Sequence, residues 1–336
     1  MQADENCILC GSHDLKIRIK GRDRLARSSL EFSVVECRKC GLAFTSPRLK
    51  QDEINEYYPD EYYSFRGDHI VQGKSTLELW VSRQYSRMLW RGLMAGGVSP
   101  VRRIKDFFVS VLFLPFYRYR NRCFPYEDRP GRMLDIGCGS GRLLSHLKEQ
   151  GWAVCGVEFN GDAAGFAREK RGLNVFAGKF ENAEYDDDFF DIITMNHALE
   201  HLIEPLAQLK RVRKILKPGG MLVVRGPNLS KIESAVFGSL WHAYELPRHM
   251  FHFNARSIRR LLMEAGFEVV KVKYTLYMNN IILSMRCILE SKKAPVRLIK
   301  AFSIENRLLR VIFLLPAFLL KIFGQSSEML VYARKS

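Results

Sequence analysis

The chain has 336 residues, 47% apolar and 26% charged, with a formal net charge of +16. That balance is globular and excludes a disordered chain, a collagen-like repeat or a small disulfide scaffold. The charge is patchy, +4 over residues 1–50, +5 over 99–126 and +6 over 286–321, which leaves +1 elsewhere and points to a solvated basic surface, an anionic membrane or a nucleic acid.

Residues 1–50 carry Cys7 and Cys10, then Cys37 and Cys40, each pair spaced C-x2-C and followed by Gly11 or Gly41. Repeated spacing with a turn glycine aims two sulfurs at one ion, and four thiolates favour a closed, structural tetrahedral Zn2+ site. Phe32–Glu36 and Leu42–Phe44 fit the short strands of a zinc ribbon. The other cysteines, Cys123, Cys138, Cys155 and Cys287, are scattered, as expected of a reduced compartment. The first apolar cluster is broken at once by cysteine and charge, and no window supplies the ~20 uncharged apolar residues of a spanning helix. The expected location is the cytoplasm, with peripheral contact at the inner face of the membrane as an extension of that reading.

After Pro47, residues 51–63 are rich in acid and tyrosine and read as a short helix and loop at a substrate cleft or against a neighbouring domain. Residues 76–94 have helical apolar spacing. Residues 107–117 form an apolar, proline-containing run between Arg102, Arg103 and Lys105 on one side and Arg118, Arg120 and Arg122 on the other. It is too short to span a bilayer and suits an interfacial helix or a buried helix under a basic rim.

From residue 130 the pattern alternates strand and helix. Strands are expected at 132–136, 152–158, 173–177, 190–195 and 221–225, with helices starting near Gly141, Asp162 and Glu204. Alternation of this kind predicts a parallel sheet with helices on both faces and a ligand beyond the carboxyl ends of the strands. Met133–Ile136 runs into Gly137, Gly139 and Gly141, which reads as strand, tight turn, helix. Glycines there allow positive φ and close approach of a ligand to the backbone, and the helix start offers free N–H groups. Glu158 closes the next strand, where a carboxylate can accept from two ribose hydroxyls. Lys217-Pro218-Gly219-Gly220 is expected to stop the third of these helices and turn the chain into the strand at 221. Residues 308–321 repeat the earlier theme of an apolar, proline-containing, basic-flanked run.

Leu134–Gly141, Glu158, Asp191–Leu202 and Leu216–Gly220 together resemble the class I S-adenosylmethionine-dependent methyltransferases. Dinucleotide dehydrogenases share the glycine turn but not the Leu-Lys-Pro-Gly-Gly stop. The cysteine pairs, Gly226–Asn228, Phe237–His242 and Pro247–Phe253 resemble a bacterial subgroup with an N-terminal cysteine-rich zinc module, linked to surface polysaccharide or small-metabolite modification. The resemblance implies an α/β, Rossmann-like seven-stranded sheet, with strand six at 267–273 and strand seven at 328–334 inserted antiparallel. It implies S-adenosylmethionine as methyl donor. Asp135 and Gly137 would hold its amino acid end, Glu158 its ribose, and Phe159 would flank the adenine. Phe180 and Glu181 would lie beside the adenine, after Lys179 where many relatives carry an acid. Asn196 and His197 would end strand four beside the sulfonium.

The resulting division is a zinc ribbon over 1–50, a helical cap over 51–128, the donor-binding domain over 129–275, a helical apolar insertion over 276–326 and the last strand over 327–336. Methyl transfer to a hydroxyl requires removal of a proton, for which a histidine suits. His249 is the first candidate base, because the insertion after the fifth strand overhangs the acceptor position. His242 is second and His201 third. The expected acceptor is a sugar, a glycolipid or a related envelope or metabolite hydroxyl. The runs at 107–117 and 308–321 are read either as a peripheral membrane contact or as the core of a homodimer or substrate cap. Nucleic acid is not the expected partner, because no basic stretch is interleaved with aromatics. RNA methylation and sugar C-methylation are the alternative reactions, and a membrane adaptor retaining the fold is the non-enzymatic one.

Overall fold

The computed structural model describes residues 6–25, 30–50, 53–54, 56–58 and 130–336. The expected helix at 76–94 and the apolar run at 107–117 lie outside the described residues. The chain divides into two compact units, one of residues 1–66 with 131–336 and one of residues 67–130. The first is described below.

Its centre is a seven-stranded sheet in the order β10-β11-β8-β7-β4-β5-β6. The strands are β4 (Arg132–Ile136), β5 (Ala153–Glu158), β6 (Asn174–Ala177), β7 (Phe190–Asn196), β8 (Leu216–Pro227), β10 (Phe267–Tyr274) and β11 (Glu328–Lys335). The strands β4 to β8 run parallel. β11 lies antiparallel between β8 and β10, as the seven-strand reading expects. The chain builds outward from β4 through β5 to β6, then crosses back to β7 on the other side of β4. That reversal opens a crevice at the carboxyl ends of β4 and β7. Central strands such as β4 and β11 are buried along almost their whole length, which is why they read as continuous apolar runs rather than as alternation.

Helices α1 (Arg142–Lys148), α2 (Gly161–Arg171), α3 (Pro205–Ile215), α4 (Lys231–Phe237) and α5 (Ala255–Glu264) connect these strands. Local chemistry sets their ends. Asn160 Oδ1 accepts from Ala163 N at the start of α2, and Gly172 closes it in the left-handed conformation. Asn254 and Ser257 form a capping box on α5. Four further helices fill the insertion before β11: α6 (Asn279–Ser291), α7 (Val296–Ala301), α8 (Arg307–Ile312) and α9 (Leu314–Ile322).

The Lys217–Gly220 stretch differs from the simple stop expected. α3 ends at Ile215, and Leu216 already pairs with Phe190 before the ladder resumes at Ile192 and Met221. The intervening residues bulge out of a longer strand. Gly219 takes φ +74°, and Lys217 Nζ reaches Asp191 Oδ1 at 2.6 Å.

The N-terminal module contains β1 (Leu15–Arg22), β2 (Glu31–Cys37) and β3 (Ala43–Ser46). β2 and β3 cover the segments expected as strands, while β1 was not foreseen. Its alternation of Leu, Ile and basic residues leaves it only half-buried. The fourth strand of this sheet is β9 (Phe251–His252), from the segment after β8, with Ala43 opposite His252 and Phe44 opposite Phe251. The module is therefore built into the same unit as the large sheet. Thr45 N and Oγ1 donate to the carbonyls of Met250 and His249, and Asn254 Nδ2 donates to Gly41 O.

Arg248 anchors this seam. It is 1% exposed, pairs with the buried Asp23 at 2.9 Å and with Glu245 at 3.4 Å, and donates to the Tyr57 carbonyl at 2.8 Å. Removing one partner of a buried pair strands the other charge without water, which costs ~3–5 kcal/mol. Arg248→Ala is expected to lose that much in urea unfolding, and a loss below ~1 kcal/mol would place the pair among weak surface contacts.

Candidate active site and cysteine cluster

The turn after β4 takes the shape its glycines permit. Gly137, Gly139 and Gly141 have φ of +74°, +53° and +74°. A Cβ on Gly141 would lie 2.4 Å from Leu173 Cδ1 and 3.0 Å from Ala167 Cβ, and one on Gly137 would lie 3.0 Å from Ala198 Cβ. The turn is thus wedged between α2 and the turn that follows β7. Glu158 ties it to β5, because Oε2 accepts from Gly139 N at 2.7 Å and Oε1 from Asn160 N at 2.9 Å. Burial pushes the Glu158 carboxyl up, opposed by those N–H groups. Each oxygen keeps acceptor capacity for a further donor.

Asp135 ends β4 and is 2% exposed. Thr194 Oγ1 donates to its Oδ1 at 2.6 Å, and Asn196 Nδ2 at 3.2 Å. Burial raises it to about 7, and no cationic side chain pairs with it among the described residues. Two buried acids at the ends of β4 and β5 make a site short of positive charge. S-adenosylmethionine, whose ammonium and sulfonium are cationic and whose ribose offers hydroxyl donors, fits that deficit. When bound it supplies an electrophilic methyl group.

The remaining donor-site candidates are spread around this pair. Phe159 is 48% exposed beside Glu158. Phe180 is buried with the Arg211 guanidinium 5.4 Å from its ring centre, and Glu181 Oε1 accepts from Gln208 Nε2 at 2.6 Å. Both side chains are therefore committed to α3. Asn196 is committed to Asp135. His197 has φ +52° and lies between Glu200 Oε1 at 3.2 Å and Glu328 Oε1 at 3.1 Å. Burial disfavours its charge, but these two carboxylates win and raise it to about 9. Glu328 also takes Arg225 at 2.9 Å and the Thr275 hydroxyl at 2.6 Å, and its cations hold it at about 2 despite burial. His197 is thus an imidazolium joining the end of β7 to β11.

Three of the histidines converge nearby. His201 and His249 have ring centres 4.8 Å apart, and His252 lies 6.5 Å beyond His249. His249 is buried, with Nδ1 2.8 Å from the Ala243 carbonyl and Nε2 3.6 Å from Glu245 Oε2. Burial lowers its pKa to about 4. His201 is half-buried, with Nδ1 2.9 Å from the Tyr58 hydroxyl and 3.0 Å from the Arg248 carbonyl. Glu200, His201 and His249 each offer one ligand-type atom, all within 4.8 Å of one another. His242 is not part of this group and hydrogen-bonds Asn280 on α6. Sequence reasoning placed Tyr58 only within a tyrosine-rich stretch at a substrate cleft or a domain contact, and it missed Thr194, Glu200, Glu245 and Arg248 as members of the site. Glu200 had a signal, standing directly before a candidate histidine, whereas the others depend on distant chain.

The four cysteines meet as their spacing predicts. Cys7 and Cys40 sulfurs are 3.4 Å apart, Cys10 and Cys37 3.5 Å, and all four lie within 4.8 Å. Tetrahedral thiolates ~2.3 Å from one ion would stand ~3.8 Å apart. Gly11 N and Gly41 N donate back to Cys7 O and Cys37 O at 2.7 and 2.8 Å, so the two turns are alike.

A methyltransferase-domain family model matches residues 112–272. A ubiquinone biosynthesis O-methyltransferase of Cereibacter sphaeroides is 29% identical over 153 residues, 43% of this chain and 60% of that protein. One of Maricaulis maris is 31% identical over 157 residues, 43% of this chain and 61% of that protein. An uncharacterized protein of Methanocaldococcus jannaschii is 25% identical over 147 residues, 44% of this chain and 69% of that protein. The chain spans about six-tenths of the length of the two ubiquinone relatives.

The Asp135 environment makes a pH-dependent prediction. An aspartate titrates near ~3.9 when unfolded and at about 7 here, so the folded state holds the extra proton between those values. Stability falls as pH rises through that window. Asp135→Asn should remove this loss. Without donor, its urea-unfolding stability relative to the parent should grow from pH 4 to pH 7.5, by up to ~4 kcal/mol, while donor binding weakens; a constant difference would exclude a neutral buried Asp135. The methyltransferase-domain match over residues 112–272, the sheet order with its antiparallel last strand and the glycine turn tied to Glu158 make this chain similar to the S-adenosylmethionine-dependent methyltransferases.

Proposed function

We propose that the chain transfers the methyl group of S-adenosylmethionine to a hydroxyl oxygen on a glycan or lipid-linked acceptor presented at a membrane surface. The observation that carries the reading is the adjacency of two sites. The charge-deficient pair Asp135 and Glu158 faces the crevice, and the Glu200, His201 and His249 cluster follows directly from β7 beside it. The close approach of Gly137 to Ala198 makes the two continuous. Holding donor and acceptor in line can supply ~7–11 kcal/mol of the barrier, and the cluster is where the acceptor proton is handled. Oxygen as the acceptor atom is supported by relatives described as O-methyltransferases. The cysteine cluster is assigned Zn2+ in a structural role, since four thiolates leave no open position.

The lipid side of the reading rests on α8 and α9. Leu308, Ile312, Leu315, Leu319 and Phe323 recur at steps of three and four, and all are exposed, Phe323 by 71%. Arg307, Arg310 and Lys321 border them. No helix among the described residues is long and apolar enough to cross a membrane. An apolar face with a basic border suits the interface of an anionic bilayer, where each Lys or Arg contributes ~1 kcal/mol.

Calorimetric titration with S-adenosylmethionine should give saturable binding that Glu158→Ala abolishes; a zinc-loaded, folded parent that binds no donor would exclude the activity. Tritiated donor should label an organic-extractable acceptor in membranes when the chain is present. In vesicle flotation the chain should rise with phosphatidylglycerol-rich vesicles and not with phosphatidylcholine. Leu315→Glu with Phe323→Glu should stay at the bottom and still bind donor. A parent chain that floats with neither lipid would remove the membrane from the proposal.

A further inference from the structure

The Glu200, His201 and His249 cluster has properties that a proton acceptor alone does not need. Its members come from two separate segments, the turn Leu199–His201 after β7 and the stretch between α4 and β9. The Glu200 side chain is almost fully buried. Its Oε1 meets His197 Nδ1 in an ion pair at 3.2 Å, and the charge on His197 is also balanced by Glu328. A carboxylate accepts more than one donor, so the His197 pair leaves Glu200 capacity for a further cationic partner.

The two imidazoles are oriented from behind. The Ala243 carbonyl, 2.8 Å from His249 Nδ1, can only accept, so Nδ1 carries the proton and the lone pair falls on Nε2, which faces the Glu245 carboxylate at 3.6 Å with no proton between them. The Arg248 carbonyl, 3.0 Å from His201 Nδ1, calls for the same tautomer there, with the Tyr58 hydroxyl 2.9 Å away as a second acceptor. A backbone carbonyl behind each ring is the outer-shell arrangement that fixes a metal-ligating histidine. The strands β3 and β9 brace the His249 segment, with Thr45 Oγ1 2.6 Å from His249 O.

We propose that Glu200, His201 and His249 hold a divalent first-row cation of the zinc or cobalt class, with an open position for the acceptor's hydroxyl oxygen. Two imidazoles and one carboxylate form the ligand set of open, catalytic zinc centres, unlike the four thiolates of the cysteine module. The inference rests on the methyl-transfer reading and assigns that acceptor a hydroxyl that can reach a cation. The cation acts as a Lewis acid and makes the hydroxyl easier to deprotonate. The proton leaves to solvent, the oxygen lone pair forms the O–CH3 bond, and the C–S bond breaks with its electrons on sulfur. The sulfonium becomes a neutral thioether, and nothing is oxidised or reduced.

The test is a Co2+ titration of chain already carrying a single zinc, followed by equilibrium dialysis and visible absorption. A second equivalent is expected, with weak d–d bands and no intense thiolate charge-transfer band. His201→Ala and Glu200→Gln should each lose that equivalent and keep the zinc, a weakening beyond the ~10–100-fold expected from loss of an outer-shell partner. His201 is half-buried, so its variant remains informative should Glu200→Gln fail to fold, and retained donor binding reports its integrity. A parent chain that takes up one metal ion in total at millimolar Co2+ would overturn the proposal, as would a second equivalent that survives both substitutions. Donor titration on the same preparation separates the two readings: donor binding without a second ion overturns the cation alone, and a second ion without donor binding overturns methyl transfer.

Discussion

The pairing of β3 with β9 is the constraint on which the candidate site depends. β9 is two residues long, too short to hold a loop by its own ladder. Its neighbours hold it instead: Thr45 binds the carbonyls of the two residues before it, His249 and Met250, and Arg248 spans Asp23, Glu245 and the Tyr57 carbonyl. The Cys37–Gly41 turn joins β2 to β3, and the Cys7–Gly11 turn ahead of β1 meets it at the four sulfurs. Whatever orders the four sulfurs therefore also orders the segment carrying His249. Structural zinc contributes ~10–16 kcal/mol of apparent binding free energy in isolated finger peptides, ample to stabilise a module of three short strands. On this view the N-terminal module is a brace for the catalytic face rather than an appended binding domain.

The acids of the large sheet show how partners decide the role of equally buried groups. Asp135 and Glu328 both lie at the carboxyl-end side of the sheet centre with almost no exposure. Asp135 receives hydrogen bonds from neutral donors only and rises to about 7. Glu328 receives Arg225 and His197 and falls to about 2. The first waits for a cationic ligand, and the second is already neutralised and locks β11 against β7 and β8. Desolvation is similar at both, so the sign of the shift follows from the cation and not from burial.

The adenine side was less well anticipated. Phe180 and Glu181 were assigned by position after the third parallel strand, yet both side chains are tied to α3 through Arg211 and Gln208. Any contact they make with a donor runs through the backbone or follows release of those bonds. Glu181 has to exchange the Gln208 amide for a ligand, whereas Glu158 is already positioned by two main-chain N–H groups.

Local physics made much of the fold legible in the sequence. Alternating periods gave the parallel strands, positive φ demanded the glycines of the turn, and repeated cysteine spacing gave the four-sulfur cluster. Each of these is settled by neighbours within a few residues. β1 and β9 were not legible, because a half-buried basic strand and a two-residue strand have no pattern of their own. The histidines were legible as residue types but not as a group. His249 and His201 meet because Met250 N donates to Glu200 O and His201 reaches the Arg248 carbonyl, His197 meets Glu328 across 131 positions, and Arg248 meets Asp23 across 225. The sequence by itself determined the sheet, the turn and the metal-type cysteines. Tertiary structure alone decided which histidines face one another and which buried acids are paired, because ionisation and ligand geometry depend on side chains that the chain brings together only when it folds.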